Sequence, residues 1–413
     1  MLSGDGYIFR LRLTNGVLSF DRAEIFAELA RRFGNGAFDL SARANLQMRG
    51  VRSEDIAPLQ QELARLGLLD ADARTEAVRN IVPSPLAGFD ASALLDARPL
   101  VEALEALLAR ETALHDLPPK FGFSIDGGGA LSLAGLVTDI DFVAVSPGLL
   151  EVSLGGVAAG FVTPENLVAA AEGLARNFLR LRGEDRRMGA LGARIGVAPL
   201  VANLSTVIVR SESDAANQRP RAGSGLLRST RNDGGKSDHS QFLGAHENFV
   251  GAGLLFGRID ADALEALALE AQEQGAKELR LTPWRALLAV GLAPDGARKL
   301  AENLETHGFI LDVGDARLAF SACPGAPACP HALADVRRVA LALAPHWRAN
   351  AGRIHVSGCV KGCALNGLAL TLVAETQGFS LVENGFARDL PQAKNLDFAS
   401  LKTKLDTLLG AAD

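Results

Sequence analysis

Apolar residues recur at helical spacing over Asp21–Phe33 and Asp260–Gln272, and alternate at strand spacing over Phe38–Arg49 and Leu279–Val290. A short strand is predicted before each helix and a second helix after each long strand, a mixed α+β order. Further apolar runs predict a second sheet in each half. In the first half these are Phe121–Ile125, Leu131–Leu136 and Leu150–Leu154, followed by a helix capped by Thr163 with Pro164 in its first turn. In the second half, Arg353–Val356, Leu368–Val373 and a terminal helix over Phe398–Leu409 play the matching part.

The halves are copies of one another. Setting residue n beside residue n+241 brings Gly16 onto Gly257, Gly50 onto Gly291, Leu63 onto Leu304, Gly67 onto Gly308 and Pro83 onto Pro324. Ile56, Leu59 and Leu63 fall on Ala297, Leu300 and Leu304, each set at the spacing of one helix face. Glycines shared at fixed distances point to duplication rather than chance matching. The expected division is 1–75 and 76–210 for the first half, a polar Gly- and Ser-rich linker over 211–247, then 248–315 and 316–413.

Composition narrows the class. A chain of 413 residues with 48% hydrophobic and 22% charged residues is ordinary for a folded multidomain protein. Its net charge of −6 disfavours a nucleic-acid surface, so an anionic ligand must meet a local group of Arg and Lys. No long apolar run or signal segment is visible, and a cytoplasmic, membrane-free protein is expected.

Where duplicated copies differ, specialisation is expected. In LSARANLQMRG, alternation puts Ser41, Arg43, Asn45, Gln47 and Arg49 on one strand face, with no carboxylate among them. The copy has Thr282, Trp284, Ala286, Leu288 and Val290 there. A solvated edge gives the same alternation, so substrate binding and solvation both stand for this strand. At constant register Arg79 falls on Phe320 and Val82 on Cys323. Lys120, in LPPKFGFS, is a third candidate cation and shares a face with Gly122 and Ser124.

All four cysteines lie in one pattern, Cys323-x5-Cys329 and Cys359-x3-Cys363. Four thiolates suit tetrahedral zinc or an iron-sulfur cluster, and four buried free thiols are the bland alternative. The five-residue spacing lies outside the zinc habit of two to four. Pro324, Gly325, Pro327 and Pro330 keep the first loop out of helix, and Gly358, Gly362 and Gly367 let backbone approach a bulky inorganic core. A 4Fe-4S cluster on Cys323, Cys329, Cys359 and Cys363 is the expectation.

At these residues the chain resembles the nitrite and sulfite reductase superfamily. The resemblance implies two ferredoxin-like half-domains, two mixed-sheet domains, and one cluster joined to the catalytic metal centre through the last cysteine, Cys363. It also implies that Arg43, Arg79 and Lys120 surround the substrate as catalytic cations; Asn45, Gln47 and Arg49, which share the strand face of Arg43 by alternation, are the further candidate binding residues. Gly122 stands where sirohaem reductases have a second lysine. HVSGCVKGC, LTPWRALL and LPPKFGF are similar to the precorrin-3B synthases of aerobic cobalamin biosynthesis. That likeness implies O2-dependent hydroxylation of precorrin-3A with γ-lactone formation, a non-haem iron, and an external electron donor or reductase. A sirohaem-dependent sulfite or nitrite reductase is the alternative, and a cluster protein that only transfers electrons is the non-enzymatic one. His355 and His331 lie nearest the cysteines in sequence, and neither is assigned to iron.

Overall fold

The computed structural model describes residues 2–70, 72–204, 206–209, 239–348, 351–365 and 367–410. The first half opens with β1 (Leu2–Ser3), β2 (Gly6–Leu11), β3 (Val17–Leu18), the helix Phe20–Phe33, β4 (Ala37–Leu40), β5 (Leu46–Val51) and the helix Ile56–Arg65. It continues through β6 (Ile81–Pro83), β7 (Phe123–Asp126), β8 (Ile140–Ser146), β9 (Leu149–Leu154), β10 (Val157–Val162) and the helix Leu167–Leu181. The second half repeats the order. It has β11 (Gly244–Ala245), β12 (Phe249–Gly253), β13 (Arg258–Asp260), the helix Ala261–Glu273, β14 (Glu278–Leu281), β15 (Ala286–Val290) and the helix Pro294–Thr306. Then come β16 (Phe320–Ala322), β17 (Ile354–Ser357), β18 (Ala369–Ala374), β19 (Phe379–Gly385), β20 (Ala393–Leu396) and the helix Phe398–Gly410.

These strands form four five-stranded sheets. Two are mixed and share one order, β6-β7-β8-β9-β10 and β16-β17-β18-β19-β20, with the first two pairings parallel and the last two antiparallel. The other two exchange an edge. β13 of the second half pairs with β4, placing Ile259 opposite Phe38, while β3 of the first half pairs with β14, placing Leu18 opposite Leu279. One core therefore serves both half-domains, running from Phe26, Leu46 and Met48 to Leu264, Leu287 and Leu300.

The backbone repeats the duplication. Left-handed φ values recur at the same offset in Asn15 and Phe256 (59° and 57°), Ala44 and Arg285 (51° and 60°), and Gly50 and Gly291 (75° and 80°). Non-glycine residues reach this region at a cost, so paired outliers mark an inherited turn geometry.

Several sequence expectations change. Phe38–Arg49 and Leu279–Val290 are not single strands but hairpins, turning at 41–45 and 282–285. The Ser41 amide donates to the Asn45 carbonyl there, and the Thr282 amide to the Ala286 carbonyl. Leu131–Leu136 is not a strand; β8 was masked in the sequence by two buried acids, Asp139 and Asp141. Asp141 is accommodated by donors from Ser124 and Thr138. Thr163 precedes a 3-10 turn, Pro164–Asn166, with no side-chain cap bond, and the helix begins at Leu167. Most of the expected linker, 211–238, lies outside the described residues, but 239–247 includes a 3-10 turn and β11, the edge of a sheet.

Candidate functional site

Parallel pairing of β16 with β17 sets Ala322 opposite Val356, so both strands end side by side. Cys323 leaves the first strand buried in the core, and Gly358 leaves the second with its amide donating to the Cys323 Sγ at 3.3 Å. A Cβ on Gly358 would lie 2.6 Å from Ala332 Cβ and 3.3 Å from that sulfur, so only glycine fits. Cys359 follows directly. Its carbonyl accepts from Ser357 Oγ at 2.7 Å. The Cys329 amide is held by the Gly325 carbonyl at 2.7 Å.

Cys363 is the exposed thiol. Burial raises its pKa, and the charges of Cys359, Cys323 and Cys329 raise it further, which places all four sulfurs in one electrostatic neighbourhood. Yet among the described residues no three His, Cys, Asp or Glu side chains stand close enough to hold a metal ion. A tetrahedral zinc needs every sulfur at about 2.3 Å from one point. A four-iron cluster spreads its thiolates around a larger body, and the donor set with its glycine cradle fits that group.

The first half shows what this corner looks like without sulfur. Ser84 follows β6 as Cys323 follows β16, and its hydroxyl accepts the Gly127 amide at 2.7 Å, as the thiol accepts that of Gly358. This corrects the gapless register: Ser84, not Val82, occupies the place of Cys323, because the two copies slip by two residues before β6.

The candidate cations divide. Arg43 sits in the β4–β5 turn and donates to the Lys120 carbonyl at 3.3 Å. Burial lowers its pKa, and Arg187 and Arg10 lower it further. Arg79 has its Nε 3.1 Å from Asp70 and lines a cleft with Arg12, Thr14 and Arg22; Arg43 and Lys120 are not among the lining residues. Arg12, whose side chain is only 5% exposed, belongs with Arg79. It donates to Glu76 at 2.8 Å, to the Arg79 carbonyl at 2.5 Å and to Asn80 Oδ1 at 2.9 Å. Its buried Nη2 has no partner. Gly122 donates its amide to Asp139, which also binds Arg187.

The expected polar strand face is reduced. Only Gln47 and Arg49 lie on β5, while Ser41, Arg43 and Asn45 are in the turn. Asn45 is buried, and its amide donates to the Arg43 carbonyl at 3.0 Å, which fixes the turn that presents Arg43. Arg49 is not free of carboxylates: it meets Asp5 at 2.7 Å and Asp39 at 3.1 Å. Burial pulls its pKa down, but the Asp5 bond and the charges of Asp39 and Asp5 win, and the net direction is up.

Sequence reasoning missed Arg10 and Arg187 beside Arg43, Arg12 beside Arg79, and Arg285 on the carbonyl after Cys363. Alternation in RLRL, with Arg10 on β2 and Arg12 one residue past its end, was the available signal for those two. His355 is buried on β17, its Nε2 without a partner. Burial, then Arg285 and Arg353, push its pKa down to about 4, which keeps it neutral at physiological pH.

The sequence profile of the nitrite/sulfite reductase ferredoxin-like half domain matches residues 1–66 and 244–307. That of the nitrite and sulphite reductase 4Fe-4S domain matches 75–209, the copy without cysteines. A precorrin-3B synthase of Sinorhizobium sp is 33% identical over 95% of this chain and 83% of its own. A ferredoxin–nitrite reductase of Leptolyngbya laminosa is 28% identical over 86% and 74%. The solved NirA protein of Mycobacterium tuberculosis shares the fold at a TM-score of 0.73, with 21% identity, across 97% of this chain and 79% of its own. No helix among the described residues is long and apolar enough to cross a membrane. The chain belongs to the nitrite and sulfite reductase family, and within it resembles precorrin-3B synthase.

Proposed function

We propose that the protein is an iron-sulfur monooxygenase that converts precorrin-3A to precorrin-3B. One oxygen atom of O2 enters the substrate as a hydroxyl at the meso carbon between rings D and A, and the ring A acetate closes a γ-lactone. The other leaves as water, with two electrons and two protons from an external reductase or reduced carrier. The observation that carries this reading is the likeness to the Sinorhizobium precorrin-3B synthase over 95% of this chain. Supporting it, Gly122 leaves out a lysine that reduction of a small oxyanion would use to stabilise developing charge.

Cys323, Cys329, Cys359 and Cys363 would hold the 4Fe-4S cluster, which supplies single electrons when bound. Arg43, with Arg187 and Arg10 beside it and its guanidinium on the Lys120 carbonyl, forms a cationic group suited to the carboxylates on a tetrapyrrole rim. Arg12, just past the end of β2, and Arg79 add two further cations, each beside an acid, Glu76 and Asp70. Asn45 acts through Arg43 by fixing its turn. A non-haem iron belongs to this reading, but its ligands are not assigned.

The test is turnover of precorrin-3A under 18O2 with a chemical or enzymatic reductant. A product one labelled oxygen heavier is expected, from protein purified without sirohaem. Stoichiometric sirohaem, or turnover of nitrite or sulfite with none of precorrin-3A, would instead establish the reductase reading that the nitrite reductase relatives favour. Arg43→Ala is expected to weaken precorrin-3A binding by roughly 1.5–3 kcal/mol, the worth of a charge-assisted hydrogen bond. Titration calorimetry checks it, and unchanged affinity removes Arg43 from the substrate site.

A further inference from the structure

Two arginines, one from each half-domain, grip backbone carbonyls next to cysteines. Arg49, on β5, donates its Nη2 to the Ala328 carbonyl at 3.3 Å, immediately before Cys329. The same oxygen accepts from Ser3 Oγ at 2.6 Å and from the Gly4 amide at 3.0 Å. A Cβ on Gly4 would come within 2.4 Å of the Pro327 oxygen, so the N-terminal segment lies directly on the loop between Cys323 and Cys329. Arg285, in the β14–β15 turn, donates its Nη2 to the Ala364 carbonyl at 3.0 Å, immediately after Cys363. Neither cysteine loop is anchored by its own domain alone.

The charges there are unbalanced. Arg337, on the helix that follows the first cysteine loop, binds Asp39 at 3.1 Å, and its Nε and Nη1 are buried without partners. Burial lowers the pKa of Arg285, and Arg337 and Arg353 lower it further. Burial does the same to Arg258, beside Arg337 and Arg49. Arg353 is exposed; against the other four arginines, Arg49, Arg258, Arg285 and Arg337, the carboxylates acting are Asp5 and Asp39. Fixed cations gathered away from water call for an anion, and four thiolates around an iron-sulfur core are one.

We infer that Arg49 and Arg285 are positioning residues for the cluster: they hold its Cys329 and Cys363 corners and favour its reduced form. This rests on the reading of the four thiols as cluster ligands. One-electron reduction, with dithionite as donor, adds one negative charge to the cluster. A nearby cation fixed in low dielectric stabilises that added charge and raises the reduction potential.

Three variants at Arg285 separate charge from hydrogen bonding in the anaerobically purified full chain. Arg285→Lys keeps the cation, Arg285→Gln keeps a donor for the Ala364 carbonyl, and Arg285→Met keeps neither. Iron and sulfide are first counted in the wild type, because their absence defeats the cluster reading itself. With the cluster present, EPR-monitored redox titration is expected to give Gln and Met midpoints more negative than wild type, with Lys close to it. Met is also expected to lose iron faster in air than Gln, at unchanged far-UV circular dichroism. Wild-type midpoints and iron retention in both Gln and Met overturn the inference. So does a negative shift in Lys equal to that in Met, which would mean that packing and not charge is being read. Should Arg285→Met not fold, the Gln and Lys midpoints alone decide the question of charge.

Discussion

Replacing Cys359 by alanine is expected to strip iron and inorganic sulfide from the protein and to loosen the second mixed-sheet domain. The wild type is expected to carry about four of each per chain, and the variant close to none. The structural effect follows from where the thiols lie. Cys323 leaves β16 and Cys359 leaves β17, while Cys329 and Cys363 sit on loops of few internal backbone bonds. A cluster closes the chain from Cys323 to Cys363, and cross-linking a loop of that length removes roughly 4 kcal/mol of unfolded-state entropy in the chain-closure relation. Thermal unfolding of the variant is expected to show an early transition in residues 316–413, which hydrogen exchange can localise. Stoichiometric zinc without sulfide in the wild type would replace the cluster with a single ion. Unchanged exchange in the variant would mean that the domain stands without ligation.

The second large effect is expected at Arg49. Its side chain is 3% exposed and those of Asp5 and Asp39 are 13% exposed. Arg49→Met takes from Asp5 the cation that meets both its oxygens, leaving it the Asn35 side-chain amide, and leaves Asp39 with its bond to Arg337 and the nearby charge of Arg258. Removing one member of a buried ion network typically costs about 3–5 kcal/mol, because the remaining charge stays desolvated. Denaturant titration is expected to show that loss, and much of it is expected to return when Asp5→Asn is added. A loss under about 1 kcal/mol would place the network among solvated surface pairs.

Arg49 also shows how far the sequence could be read. Its alternation with Met48 put it on the polar side of a strand, but its partners are Asp39 in β4, Asp5 in the N-terminal segment and the Ala328 carbonyl in the second half. Spacing along one segment carries no information about such distant charges. The duplication was legible because it lies in chain order, and the left-handed φ pairs repeat the offset that the glycines showed. The hairpins were not: Ser41–Asn45 continues an acceptable alternation through a turn without proline or glycine, and in Thr282–Arg285 the one turn signal is Pro283, which the alternation around it overrode. The four cysteines stood out in the sequence by their spacing and because they are the only ones in the chain. The convergence of Arg43 with Lys120 came from resemblance and is seen in the structure only at Lys120's backbone. For the same reason the slip that sets Ser84 opposite Cys323 could be seen only once β6 and β16 were aligned in space.

The exchanged edges, β13 on the first sheet and β3 on the second, have an ancestral meaning. Two identical chains, each lending one strand to the other, would form an isologous dimer about a two-fold axis with this pairing. In such a dimer every mutation appears twice, so both subunits must carry thiols or neither can. Fusion of the two genes breaks that constraint while keeping the interlocked sheets. Each copy then mutates alone, and a hydroxyl at 84 can face a thiol at 323 across a symmetry that only the backbone still obeys.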